Sequence, residues 1–314
     1  MALDELDRVE ILSLQDNFIE ITAMDNSPVI KRASGVTGGE IKRSILAEHG
    51  FSALVKTFRG DDAGTLLFDF GFSKDGAAYN AEALGVSLKD VEVMVLSHGH
   101  SDHLGGLESL VAKIGREGIP LVLHPSAFKP SRYLKFGEFR AFFPAVTRER
   151  FERLGIRLIE TMQPRILLDG KILFLGEVRR ETSFEKGMPM AHFEDQGIEK
   201  WDPIEEDTAI VMNLRGKGLV ILSGCAHAGI VNTVRYAQKV TGVDRIHAVM
   251  GGFHLAGPAF EAVIGPTAEE LRKIGPDFVI PCHCTGREAI MQVERAMPGQ
   301  FILNMSGTTL TFRA

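Results

Sequence analysis

Apolar residues along this chain keep changing their period. Short alternating runs give way to stretches that repeat every three or four positions, the pattern of an α/β protein. Strands are expected over 9–14, 53–58 and 65–70, the first stopped by Asp16-Asn17 and the last by Gly71. A helix is expected over 75–84, with Gly85 as its stop. The run 91–96 is apolar apart from Glu92 and reads as a strand of the buried kind. A helix follows over about 104–114, closed by Gly115, and a short strand at 121–123 ends at His124. Between 125 and 151 the pattern weakens among prolines, aromatics and arginines, and reads as an inserted lid or a helical excursion over a site. Strand patterns return at 157–160, 166–168 and 171–175, with Asp169-Gly170 as a hairpin turn. Residues 181–207 are polar and irregular, and a loop of that length is uncommon unless it has a function. The last third is regular. It has strands at 209–214, 218–222, 246–250 and 278–280, helices at 230–240 and 287–296, and closing strands at 301–303 and 308–312. Thr267 and Glu270 have the spacing of a capping box, so a further helix is expected to start there and stop at Gly275-Pro276.

The layout gives two β-rich halves with helices outside and no linker between them. One domain over 1–314 is therefore expected, with a possible lid at about 125–151. Hydrophobic residues make up 45% and charged residues 24% of the chain, which excludes a disordered, collagenous or disulfide-framework protein. The net charge of −6 speaks against a nucleic-acid partner, because phosphate binding needs clustered Lys and Arg. There are three cysteines, two of them only two positions apart, as expected for a reducing, cytoplasmic compartment. No signal peptide and no uninterrupted apolar run of eighteen residues is visible, so a membrane partner is not expected.

The segment from Ser97 to Gly106 carries the strongest chemical signal. His98, His100, Asp102 and His103 fall within six positions, directly after an apolar strand. Residues two apart on an extended segment share a face, so His98 and His100 can reach one cation together. Asp102 and His103 can face a second cation as the chain turns into the helix. Imidazole and carboxylate are natural ligands of zinc, iron or manganese.

This His-x-His-x-Asp-His arrangement resembles the signature of the metallo-β-lactamase superfamily. Phe68-Asp69-Phe70-Gly71 is similar to an earlier strand-end motif of that family. Ser223-Gly224-Cys225 stands where members usually carry Ser/Thr-Gly-Asp, and Pro281-Cys282-His283 where they carry a last metal-binding histidine. The resemblance implies an αββα sandwich of two mixed sheets, with a dinuclear metal site at one edge between them. A narrower likeness lies in the segments 224–232, 251–255 and 283–286. They resemble the dihydropterin ribofuranosylaminobenzene phosphate synthase-like branch.

On this reading the metal ligands are His98, His100, Asp102, His103, His227 and His283, holding two divalent ions, zinc first, with iron or manganese as alternatives. His227 fills a position left vacant by the lack of a histidine in 176–185, or else touches substrate. Cys225 replaces the bridging aspartate as a softer ligand, or is a buried small hydrophobe. His254 is a proton donor to a leaving group, or a ligand. Asp69 is expected to orient a metal-binding histidine. Glu206-Asp207 is a weaker candidate for the same task, and His124 is a lesser candidate for the cleft. Arg179, Arg180 and Lys186 can hold a phosphate or remain a solvated loop. His192 can contact substrate, and His49 and His247 carry no signal.

Three activities are compatible with these residues. The first is a hydrolase of a small-molecule ester, amide or phosphoester, in which Asp102 orients the attacking water. The second, implied by the branch resemblance, is a transferase that displaces diphosphate from a pterin, with the aromatics of 136–143 stacking on the ring. The third is a redox or binding role built on iron and Cys225. No Gly-x-Ser-x-Gly elbow with a triad and no Gly-rich phosphate loop is present.

Overall fold

Alternation along the strands divides the apolar residues between two faces, and the molecule is built on that division. A computed structural model describes residues 1–37, 39–41 and 43–314. One sheet has eight strands in the order Arg157–Glu160, Pro120–Leu123, Val93–Val95, Asp62–Phe68, Ser52–Arg59, Arg8–Gln15, Thr309–Arg313 and Ile30–Lys31. The second runs Arg165–Leu167, Ile172–Phe174, Ala209–Leu214, Gly218–Ser223, Ile246–Gly252 and Phe278–Cys282, and Glu5–Leu6 pairs with Ala209–Leu214 as its seventh strand.

Val9, Ile11, Phe68 and Val95 point from the first sheet into one core, and meet Phe174, Met212, Leu222 and Met250 from the second. The intervening residues face outward. Leu67, Met94 and Leu96 pack beneath the helices Gly76–Ala83 and Leu107–Ile114. Val211, Ile221 and Val249 pack beneath Ile230–Thr241, Glu261–Ile274 and Arg287–Ala296. Both faces of each sheet are covered, so 93–96 reads as an unbroken apolar run after the exposed Glu92. The layers are helix, sheet, sheet, helix, in agreement with the αββα expectation.

The segments without periodicity, 125–151 and 181–207, meet in a third sheet. Strands Arg132–Phe136 and Phe139–Phe142 form a hairpin, and Arg132–Phe136 pairs with Ala191–Asp195, which pairs with Ile198–Trp201. The segment expected as a lid or a helical excursion thus holds the two hairpin strands, a 3-10 turn at Pro125–Phe128 and a short helix at Arg148–Arg153. Its partner lies some sixty positions along the chain, opposite His192 at Tyr133, and Ile198–Trp201 is exposed at every position. Neither local periodicity nor a local turn marks such a pairing.

Three further expectations change. The helix placed over 104–114 begins at Leu107, after a 3-10 turn at Ser101–His103. Gly105 and Gly106 lie tight against the chain at 70–72, where a Cβ on Gly105 would be 1.6 Å from the Phe72 carbonyl oxygen. The helix assigned to the Thr267 capping box starts at Glu261 and carries Pro266 inside it. Thr267 is fully buried and caps nothing, while Ile264, Ala268 and Leu271 hold this helix on the sheet. Residues 301–303 make a single bridge, Phe301 to Val279, rather than a strand. Among the described residues, no helix is long and apolar enough to cross a membrane.

Candidate metal centre

Strands from both sheets end at one edge of the sandwich, and the polar motifs follow those ends. Val93–Val95 leads to His98, His100 and His103, Gly218–Ser223 leads to Cys225 and His227, and Phe278–Cys282 leads to His283. Their rings converge. His98 Nε2 is 3.2 Å from His227 Nε2, and His103 Nε2 is 3.0 Å from His283 Nε2. Cys225 Sγ is 3.1 Å from His103 Nε2. Two sets each bring their donor atoms within 4.8 Å of one another: Asp102, His103, Cys225 and His283, and His98, Cys225 and His227. Cys225 is common to both. His100 stands beside the second set, with Nδ1 3.0 Å from His98 Nε2 and its ring stacked on Phe143 at 4.4 Å.

Ring nitrogens facing one another at these distances can share few protons, so lone pairs are concentrated at one point. Burial, and then neighbouring imidazoles, hold His98 and His227 well below the usual histidine range. Burial and then the Arg132 charge bring His100 down to about 3. Burial also opposes charge on His103, but Asp69 and Asp102 outweigh it and raise that ring to about 9. Asp102 pays burial as well, and His103, His283 and His49 still keep its carboxyl well below the ordinary range. The site therefore combines imidazoles held neutral at His98, His100 and His227, an ionised carboxylate at Asp102 and the Cys225 thiol. That donor chemistry fits divalent cations, with the sulfur shifting preference toward the softer ones.

The surrounding groups fix these side chains. Asp69 Oδ2 lies 2.7 Å from His103 Nδ1, and the Ser97 N–H and Oγ–H both donate to the Asp69 carboxylate at 2.7 Å. The Asp69→Asn variant is expected to lower metal affinity about 10–100-fold. Metal titration at constant pH checks this, and unchanged affinity would remove Asp69 from the centre. Asp69, Ala226, His254 and His283 all have φ between 44° and 56°, so left-handed backbone gathers at this edge.

Several residues behave differently from expectation. His124 Nδ1 accepts the Ser126 N–H at 3.1 Å and caps the turn Pro125–Phe128, and it belongs to neither donor set. Glu206 and Asp207 hold backbone rather than a histidine ring. Glu206 pairs with Arg132 and accepts the Gly99 N–H at 3.5 Å, while Asp207 accepts the Ala228 N–H at 3.1 Å. Arg180 donates to the Pro203 and His227 carbonyls instead of awaiting a phosphate. His192 stacks on Tyr133 in the small sheet.

Other residues join the site that sequence reading gave no place in it. Asn17 Oδ1 lies 3.1 Å from His283 Nδ1, and Asp16 accepts the His283 N–H at 2.9 Å. As sequence, Asp16-Asn17 marks only the end of a strand. His49 Nε2 lies 3.4 Å from Asp102 Oδ2 with its ring largely exposed. Cys284 Sγ lies with Cys225 and His254 in a third set of donors.

The centre opens on a cleft of about 350 Å³. His100, Asp102, Cys225, His227 and His254 lie along its floor, and Phe136, Met188, Met190 and Phe260 form apolar walls. Phe136 and the two methionines come from the segments that form the small sheet.

The family model described as the metallo-beta-lactamase superfamily matches residues 47–238. The chain belongs to this superfamily. Within it, one relative is the 7,8-dihydropterin-6-methyl-4-(beta-D-ribofuranosyl)-aminobenzene-5'-phosphate synthase of Methanocaldococcus jannaschii, 31% identical over 279 residues, covering 86% of this chain and 92% of that protein. An uncharacterised protein of the same organism is 28% identical over 258 residues, 81% of this chain and 90% of its own length. Among solved structures, Tm1679, described as a metal-dependent hydrolase of the beta-lactamase superfamily, superposes with a TM-score of 0.74 at 25% identity, covering 98% of this chain and 100% of that one.

Proposed function

We propose that the chain is a metal-dependent hydrolase of a small-molecule ester, amide or phosphoester, with two divalent ions, zinc first, in a reducing, cytoplasmic setting. One observation carries this reading: an ionised Asp102, buried imidazoles and the Cys225 thiol meet on the floor of a cleft with apolar walls. His98, His227 and Cys225 would hold one ion, and Asp102, His103, His283 and Cys225 the other. Such ions, when bound, lower the pKa of water to about 7 and polarise a carbonyl or phosphoryl oxygen. Asp102, whose side chain is 15% exposed, accepts a hydrogen bond from the attacking water and orients it. Asp69 fixes the ring of His103, and Asn17 fixes that of His283. Met188, Met190 and Phe260 keep bulk water from the reacting atoms.

A second reading is favoured by the synthase relative, which aligns over 92% of its length. In that case an arylamine nitrogen forms the new C–N bond, the C–O bond to diphosphate breaks, and the nitrogen loses its proton. Phe136 and Phe260 offer flat apolar walls on which a pterin ring stacks. The two readings separate in one assay with zinc-loaded protein, a dihydropterin diphosphate, and an aminobenzene ribosyl phosphate added or withheld. Diphosphate release that needs the amine supports transfer. Release without it, or turnover of simple phosphoesters, supports hydrolysis. Failure to turn over any ester, amide, phosphoester or diphosphate sinks both.

A further inference from the structure

Three parallel strands lie side by side in the second sheet: Gly218–Ser223, Ile246–Gly252 and Phe278–Cys282. The turns just beyond their ends carry Cys225, His254 and Cys284. The two Sγ atoms and a ring nitrogen of His254 lie within 4.8 Å of one another. All three residues also border the cleft.

The arrangement is rigid and built to fit. Gly252 donates its N–H to the Gly224 carbonyl at 2.9 Å. A Cβ at Gly252 would come within 2.5 Å of both Cys284 Sγ and the Gly224 carbonyl oxygen, so only glycine leaves room for that thiol. Both cysteines are buried and free. His254 Nδ1 is buried and has no hydrogen-bond partner, although a buried ring nitrogen ordinarily finds one. Neither His254 nor Cys284 belongs to the two donor sets of the histidine centre.

Two sulfurs and one imidazole, with the remaining direction open to a cleft, make up the ligand set of an open zinc site. Sulfur donors select zinc-class and softer cations over magnesium or manganese. We propose that Cys225, His254 and Cys284 form a separate thiolate-rich site for one thiophilic divalent cation, adjoining the histidine centre and sharing Cys225 with it. Cys284 gives up its proton as its S–metal bond forms, Cys225 loses its single proton to the first ion it binds, and no electron is transferred. The open direction takes a further sulfur or nitrogen donor from the cleft. His254 is then a metal ligand, not a proton donor. Cys284, a residue beside the last histidine motif, acquires a role of its own.

The test uses full-length protein, purified and stripped of metal under reducing, anaerobic conditions. It is titrated with Cd²⁺, followed by thiolate-to-cadmium charge-transfer absorption and by metal analysis. Zinc-loaded samples are measured by X-ray absorption. The wild type is expected to bind one more ion than Cys284→Ser, and to show an ion with two sulfur neighbours at about 2.3 Å. Cys284→Ser should lose about half of the charge-transfer intensity, while His98→Ala keeps it. Circular dichroism shows that the variants are folded, and His254→Ala, which spares both thiols, should lose the same ion. Equal ion counts and equal thiolate absorption in the wild type and Cys284→Ser overturn the proposal. So does a Cys225–Cys284 disulfide in the anaerobically purified protein. Either result leaves the hydrolase reading standing, because that reading is tested by turnover.

Discussion

Alanine at position 103 is expected to remove metal and activity together. His103 is the junction of the centre: its ring lies 2.7 Å from Asp69, 3.1 Å from Cys225 Sγ, 3.0 Å from His283 and 3.8 Å from Asp102. Removing the ring withdraws one donor from the set that includes Asp102. It also leaves the fully buried Asp69 carboxylate with Ser97 as its remaining partner here. The expected loss of turnover is at least about 10²–10³-fold, the scale of one lost preorganised electrostatic contact. Metal content should fall by one ion per chain. His103→Gln keeps a donor toward Asp69 and is expected to restore folding without restoring activity, which separates a chemical role from a structural one. Full activity in a His103→Ala protein with reduced metal content would remove the metal centre from the mechanism.

The second large effect lies beneath the small sheet. Arg132, on the strand Arg132–Phe136, pairs through Nε with Asp202 Oδ2 at 2.7 Å and also with Glu206. All three side chains are almost completely buried, at 4%, 2% and 0% exposure. Burial disfavours the guanidinium charge, and Glu206 and Asp202 more than offset it, so the group stays cationic. Arg132→Met leaves the buried Glu206 without its ion-pair partner and Asp202 with Lys129 alone. A loss of about 3–5 kcal/mol is expected, since removing one partner of a buried ion pair strands the other. Urea denaturation measures it, and the double variant Arg132→Met/Glu206→Gln should recover part of the loss. A loss below about 1 kcal/mol would show that the pair does not hold the small sheet. The change should also reach the centre. A Cβ on Gly99, between His98 and His100, would be 3.0 Å from Arg132 Nη1, and the Gly99 N–H faces Glu206. Weaker zinc binding by the folded variant is the expected sign of that coupling.

The reading of the layers from sequence succeeded where each residue's partner is set by its own period. The runs 93–96 and 209–212 are apolar because sheets covered on both faces bury those positions, and strands Val93–Val95 and Ala209–Leu214 form there. It failed where an element is held by something distant. The helix Glu261–Ile274 keeps Pro266 in its interior because Ile264, Ala268 and Leu271 anchor it on the sheet, and a rule based on local caps cannot see that packing. The small sheet escaped for the same reason. Two of its strands, Phe139–Phe142 and Ile198–Trp201, are largely exposed and show no apolar alternation, and the buried pairs of Arg132 with Asp202 and Glu206 join residues some seventy positions apart.

For the candidate site the division is similar. The donors of 98–103 were legible because four ligand-type side chains within six positions, after an apolar strand, have little use in packing. Asp16, Asn17 and His49 were not legible, since each is ordinary among its sequence neighbours, and Cys284 stood within the 283–286 likeness only as a small side chain beside His283. They acquire meaning only through His283, Asp102 or Cys225, which lie far away in sequence. By itself, then, the sequence determined the α/β periods and the motif residues, which depend on local spacing and side-chain type, and the resemblance of those motifs to the superfamily implied the αββα layers. The tertiary structure alone decided that Cys225 joins the three donor sets at the sandwich edge, that Arg180 and Glu206 hold backbone, and that two irregular segments form one wall of the cleft. Those outcomes depend on which strand ends meet at one edge, and burial and long-range pairing settle that, not any local pattern.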